Sequence, residues 1–159
     1  MSQVNPIPEG FHTLTPYLRV RGAAEAIPFY EKALGAELVC KMPGPDGKKI
    51  MHAELKVGDS YFMLSDEMPE YGCPSPQSIG GSGASVHVYT DDVDGLFARA
   101  VEAGAKGTMP PANMFWGDRF AKIKDPYGHE WSIATHVEDV SPDEMPKRQA
   151  EAFAAMGKK

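Results

Sequence analysis

The chain is poor in cysteine: Cys40 and Cys73 are its only two, and they show no CxxC spacing. Neither a disulfide framework nor a zinc knuckle is supported, and both thiols are expected to stay reduced. No run of lysines or arginines occurs, and the net charge is -6. Nucleic acid or an anionic membrane surface would meet overall repulsion, so neither is an expected partner. No apolar stretch approaches the roughly 20 residues of a membrane span. Residues 1–10 are polar and proline-bearing, without an apolar h-region, so the expected location is cytoplasmic. The usual nucleophile and nucleotide motifs are missing too: there is no GxSxG elbow, no P-loop and no GxGxxG after a strand. Gly80-Gly81-Ser82-Gly83 leads into a strand pattern, which removes the phosphate-binding logic of a helix start.

What is present is core material. With 159 residues, 42% of them hydrophobic, the chain can bury a core as one domain or as two small repeats. The clearest pattern is residues 115–136. Asp125-Pro126-Tyr127-Gly128 reads as a turn between two strands. Pairing Asp125 with His129 puts Ala121, Ile123, Trp131 and Ile133 on one face, and Phe120, Lys122, Lys124, Glu130, Ser132, Ala134 and His136 on the other.

The rest of the chain reads as follows. His12–Val20 alternates like a strand, with Pro16 marking an edge or bulge. Ala23–Leu34 has helical spacing ending at Gly35, and Pro28 is accommodated if the helix proper begins near it. Glu37–Lys41 is a short strand. Lys49–Val57 and Ser60–Ser65 flank a Gly58-Asp59 hairpin, which sets Glu54 across from Met63 and His52 across from Ser65. Asp66–Gly83 reads as a linker or mobile flap. Then come a strand over Ala84–Thr90, a helix from Val93 to Ala103 capped by Asp91-Asp92, a short strand near Ala105–Met109 and a Pro110-Pro111 loop. In the tail, Ser141-Pro142-Asp143-Glu144 predicts a helix from Pro142 to Met156.

The second half repeats the first. Phe29 and Phe97 are 68 apart, as are Ala53 and Ala121, and HAELK (52–56) resembles FAKIK (120–124). The expected fold is α+β: two βαβββ modules forming a curved mixed sheet around a cleft, plus a C-terminal helix. The divisions are a flexible N-terminus (1–11), module 1 (12–67), a linker or flap (68–83), module 2 (84–136) and a helical tail (137–159).

The segments TPYLRVRGAAEAIPFYEKALGAEL, HVYTDDVDGLFARAVEAGAK and DPYGHEWSIATH resemble the vicinal oxygen chelate superfamily, which includes glyoxalase I, extradiol dioxygenases and bleomycin and fosfomycin resistance proteins. MFWGDRFAKIKDPYGHEWSIATH, together with LSDE at 64–67, is similar to its PhnB-like or glyoxalase-like subgroup. Metal-dependent members draw histidine and glutamate ligands from the first and fourth strands of each module. Carried over, those positions fall on Thr15, Met63, Ser85 and Ser132, none of them a strong ligand for a divalent cation. The resemblance therefore implies a metal-independent small-molecule binder, possible in resistance or sequestration, with no cofactor expected. It also implies a homodimer, for which Met145, Gln149, Ala152, Phe153 and Met156 offer an apolar stripe.

The alternative is a lyase, isomerase or dioxygenase holding a divalent metal at a displaced site of His52, Glu54 and His87, with Glu54 and His87 as acid–base candidates. The ligand-binding set expected on the cleft face is Thr15, Tyr17, His52, Glu54, Met63, Ser85, His87, Tyr89, Trp116, Phe120, Lys122 and Ser132. Tyr17, Tyr89, Trp116 and Phe120 would stack on a flat ligand, and Lys122 would favour its anionic or carbonyl part.

Overall fold

The computed structural model describes residues 4–157. Module 1 contains β1 (Tyr17–Val20), α1 (Ala23–Leu34), β2 (Glu37–Pro43), β3 (Ile50–Val57) and β4 (Ser60–Asp66). After a 3₁₀ turn at Pro69–Tyr71 and the short α2 (Pro76–Ile79), module 2 repeats the order with β5 (Ser85–Tyr89), α3 (Val93–Glu102), β6 (Lys106–Asn113), β7 (Asp118–Lys124) and β8 (Glu130–His136). The chain then runs into α4 (Met145–Met156). The two sheets have matching orders, β1-β4-β3-β2 and β5-β8-β7-β6, with the first strand of each parallel to the fourth.

The α+β class, the repeat and the C-terminal helix are as the sequence predicts. Each module contributes one four-stranded mixed sheet with its own ladder. Period-2 alternation sends Ala53, Leu55, Phe62 and Leu64 of one sheet and Ala121, Ile123, Trp131 and Ile133 of the other into the core. There they meet buried residues of α1 (Ile27, Tyr30, Leu34) and α3 (Val93, Leu96, Ala100).

The modules join through these helix-covered faces. Phe62 packs edge to face on Tyr30 and Trp131, with ring centroids 5.4 and 5.8 Å apart, and Tyr30 and Trp131 meet tilted at 5.7 Å. Buried Asp125 ties the joint. Its Oδ2 accepts from Tyr30 Oη at 2.7 Å and Trp131 Nε1 at 2.9 Å, and its Oδ1 accepts from the amides of Tyr127 and His129 at 2.9 Å each. Burial, followed by the neighbouring Asp125 charge, holds the Tyr30 phenol well above its ordinary range.

Several boundaries differ from the sequence reading, each for a visible reason. The first strand starts at Tyr17 rather than His12. Pro16 has no N–H for a ladder, and the segment before it leaves the sheet, with Leu14 89% exposed. Pro28 lies past the first turn of α1; it is exposed, so water can serve the carbonyl it leaves free. The α1 start is instead set by Asp66 at the end of β4. Its Oδ1 accepts from the amides of Gly22 and Ala23 at 3.0 Å, and its Oδ2 accepts from Ile50 N at 2.7 Å.

The Pro110-Pro111 loop is part of β6, which tolerates both prolines as an edge strand with register shifts at Met109. Part of the expected flap is held in place. Glu67 accepts from Arg21 Nε and Ser75 N, at 2.8 and 2.9 Å, and from Ser78 Oγ. In the tail, Ser141 Oγ still accepts from Glu144 N at 3.3 Å, but the helix proper starts at Met145, because Pro146 cannot close the preceding turn. Its stripe is only partly covered: Phe153 is 56% and Met156 67% exposed. Among the described residues, no helix is long and apolar enough to cross a membrane.

Candidate functional site

The residues that alternate away from the core form one polar face per module. On module 1, Tyr17 Oη lies 2.8 Å from His52 Nδ1, and His52 Nε2 lies 3.2 Å from Glu54 Oε1. The Arg19 guanidinium sits over the Tyr17 ring, 4.1 Å from its centroid, and donates to Ser65 Oγ. Met63 pairs with Tyr17 on one side and Glu54 on the other. On module 2, His87 Nδ1 lies 2.7 Å from Ser132 Oγ. The His87 ring stacks at 18° on Phe120, with centroids 6.1 Å apart, and meets Tyr89 edge-on at 4.6 Å. Trp116 meets Phe120 edge-on at 5.6 Å and is held there by its Nε1 donating to Asp118 Oδ2 at 2.9 Å. Lys122 Nζ lies 5.9 Å from the centre of Phe120. The outcome is an aromatic shelf with an ammonium at its side.

The register moves two of the carried-over positions. The first-strand residue beside Met63 is Tyr17, and the one beside Ser132 is His87; Thr15 precedes β1 and Ser85 pairs with Glu130. In module 1 the shift follows from Pro16, before which β1 does not extend, and in module 2 from the parallel ladder, which pairs Ser85 with Glu130; residues two apart keep the same face. Thr15 Oγ1 is spent locally on His12 O at 3.0 Å. Ser85 lies beside Lys122 and Ser132 in a depression of about 400 Å3, bordered by Ser82 and Gly83. His87 and Tyr89 line a groove of about 460 Å3 along β5, opposite Leu14, Pro16 and Phe62.

The displaced metal trio is not assembled. His52 and Glu54 contact each other, but His87 bonds Ser132 in the other module. Among the described residues, no three His, Cys, Asp or Glu side chains gather for a metal. The carried-over positions, read in the observed register, are Tyr17, Met63, His87 and Ser132, and only His87 among them is a strong donor to a divalent cation. Lys122 is exposed, so its charge is largely in water. Sequence reasoning had Arg19 on the right face by parity but gave it no role. It read Asp125 only as a turn residue, since nothing local shows that Tyr30 will reach it from 95 residues away.

Paired βαβββ modules, each with a helix on one sheet face and a polar opposite face, define a protein of the vicinal oxygen chelate type. The chain belongs to the Glyoxalase/Bleomycin resistance protein/Dioxygenase superfamily, whose family model matches residues 10–133. It is 40% identical over 135 residues to Rv0887c of Mycobacterium tuberculosis (strain H37Rv), covering 83% of this chain and 79% of that protein. The crystal structure of PA1353 from Pseudomonas aeruginosa superposes with a TM-score of 0.62 at 29% identity, over 80% of this chain and 99% of that one. A PhnB protein from Bacillus cereus, a putative 3-demethylubiquinone-9 3-methyltransferase, shares the fold at 20% identity with a TM-score of 0.60, over 78% and 99% of the two chains.

Proposed function

We propose that the protein is a metal-independent small-molecule-binding member of the PhnB-like group, working in the cytoplasm and sequestering its ligand on the module 2 face. The observation that carries this reading is the shelf of His87, Phe120, Trp116 and Tyr89, with Tyr89 65% exposed, beside the Lys122 ammonium. Exposed rings held at fixed angles give flat contact area at little entropic cost. Lys122 selects a planar ligand with an anionic or carbonyl group, and Ser132 and Ser85 supply hydroxyls in the same depression. The ligand-position residues favour a metal-free site, since the Tyr17 and Ser132 hydroxyls and the Met63 thioether compete poorly with water for a divalent cation and leave His87 as the one strong donor of the four. Elemental analysis of protein purified without chelator tests this: the expected metal content is far below one equivalent, and one tightly held equivalent would overturn it.

The chain is further proposed to act as a homodimer. The exposed Phe153 and Met156, continuous with Phe115 through a ring contact at 6.3 Å, supply an apolar surface beyond the double module. Sedimentation at micromolar concentration should show a dimer that weakens on removal of residues 138–159; a monomer throughout would reject it.

A further inference from the structure

The module 1 face carries an arrangement that ligand binding does not use. Glu54 offers only acceptors when ionised, so the His52 nitrogen 3.2 Å from Oε1, Nε2, carries the ring proton. Nδ1 is then left with a lone pair, and the Tyr17 hydroxyl 2.8 Å away donates to it. The chain Glu54–His52–Tyr17 thus runs from a carboxylate through an oriented imidazole to a phenol, and Tyr17 is 40% exposed at its outer end. Because the phenol proton points inward, the oxygen lone pairs are free to meet a ligand's proton. Arg19, anchored to Ser65, puts a fixed positive charge over the Tyr17 ring, 4.1 Å from its centroid. Module 2 has no such chain: the positions matching Tyr17, His52 and Glu54 hold His87, Phe120 and Lys122, and a ring and an ammonium cannot relay a proton to a phenol.

We infer that Tyr17, positioned by His52 and Glu54, is a metal-free proton-transfer group for a carbonyl compound that bears a carboxylate, with Arg19 holding the negative charge. In the forward step, a C–H next to the ligand's carbonyl gives its proton to Tyr17 Oη as the phenol proton passes to His52 Nδ1. The C–H electron pair becomes the enolate, whose charge faces Arg19. His52 becomes an imidazolium paired with Glu54; the proton now on the exposed Tyr17 hydroxyl exchanges with solvent, and the reverse transfer then delivers a solvent-derived hydrogen to the carbon and restores every group. The net result in deuterium oxide is exchange of the carbon-bound hydrogen, with nothing oxidised or reduced. This inference is independent of the binding assigned to module 2.

The probe is pyruvate. Loss of its methyl proton signal in deuterium oxide is followed by NMR with the full chain and with buffer alone. Wild type is expected to exceed the buffer rate by about a hundredfold, the lower end of what a positioned acid–base group contributes. Tyr17→Phe should fall to the buffer rate, Glu54→Gln should lie between, and Glu31→Gln, on the exposed side of α1, should match wild type. A wild-type rate equal to buffer, or a rate that survives Tyr17→Phe, overturns the inference. Nitrogen-15 NMR of His52 supplies a readout independent of turnover. A single Nε2–H tautomer in wild type, lost in Glu54→Leu, which removes the acceptor, is the expected result, and a mixture of tautomers in wild type overturns the relay.

Discussion

Superposed by strand register, the two modules place the same fold positions under opposite chemistry. Tyr17 matches His87, His52 matches Phe120, Glu54 matches Lys122 and Met63 matches Ser132. The core faces differ little, Ala53 and Leu64 answering to Ala121 and Ile133. The alternation that builds each sheet therefore constrains one face and leaves the other free to diverge. Module 1 presents a phenol, an imidazole and a carboxylate, and module 2 an aromatic shelf with a cation. A carboxylate against an ammonium at one matched position is the sharpest contrast between them.

The hairpin turns differ just as much, and the largest expected effect lies there. Asp125 closes the module 2 turn and also receives Tyr30 and Trp131, whereas Asp59 of the module 1 turn accepts only from Ser60 Oγ at 2.8 Å. Asp125→Ala is expected to cost about 3 kcal/mol in urea unfolding, because it strands buried donors from both modules. Asp59→Ala should cost less than about 0.5 kcal/mol. Equal costs would mean that the joint does not depend on Asp125.

The helix starts give the next contrast. α1 is capped from another strand by buried Asp66, while α3 is capped by its own Asp92, whose Oδ1 accepts from Gly95 N at 2.9 Å. Asp66→Ala should cost about 2 kcal/mol and Asp92→Ala about 1 kcal/mol, read from the same unfolding curves.

These contrasts also show how far a sequence can be read. The hairpin registers Val57 with Ser60 and Lys124 with Glu130 follow from alternation and turn residues alone, as do the buried sets on each sheet. The roles of Asp66 and Asp125 do not, because their partners lie 43 and 95 residues away and are chosen by packing. The faces were legible by parity, which put Tyr17, His52 and Glu54 together. Parity is silent on a shift of two: β1 starts after Pro16, which puts Tyr17 rather than Thr15 beside Met63, and the parallel ladder of β5 with β8 puts His87 rather than Ser85 beside Ser132.

On the module 2 face, reversing the charge at Lys122 is expected to weaken binding of 2-naphthoate by less than about 1 kcal/mol, since an exposed ammonium is well screened. Glu54→Lys on module 1 should leave that affinity unchanged, and calorimetry of both variants would show whether the faces are independent.

The smallest effect is a pH dependence at the end of module 2. His136 is held above its ordinary value by Asp139 and then Asp118, whose oxygens lie 3.0 and 2.8 Å from its ring nitrogens. A raised folded value means that the stabilisation is complete below the ordinary value near pH 6.5 and is lost as pH rises through the higher one. Thermal melts should show wild type losing its advantage over His136→Gln as pH rises from 6 to 9, a window set by the histidine's titration range. An advantage that grows with pH would reverse the assignment.

The division of labour between the faces is tested most directly by mapping amide shifts in a nitrogen-15-labelled chain titrated with 2-naphthoate, a fused ring bearing a carboxylate, in the presence of EDTA. Saturable shifts concentrated at His87, Tyr89, Trp116, Phe120 and Ser132 are expected. Shifts centred instead on Tyr17, His52 and Glu54, or binding that vanishes with the chelator, would contradict that division.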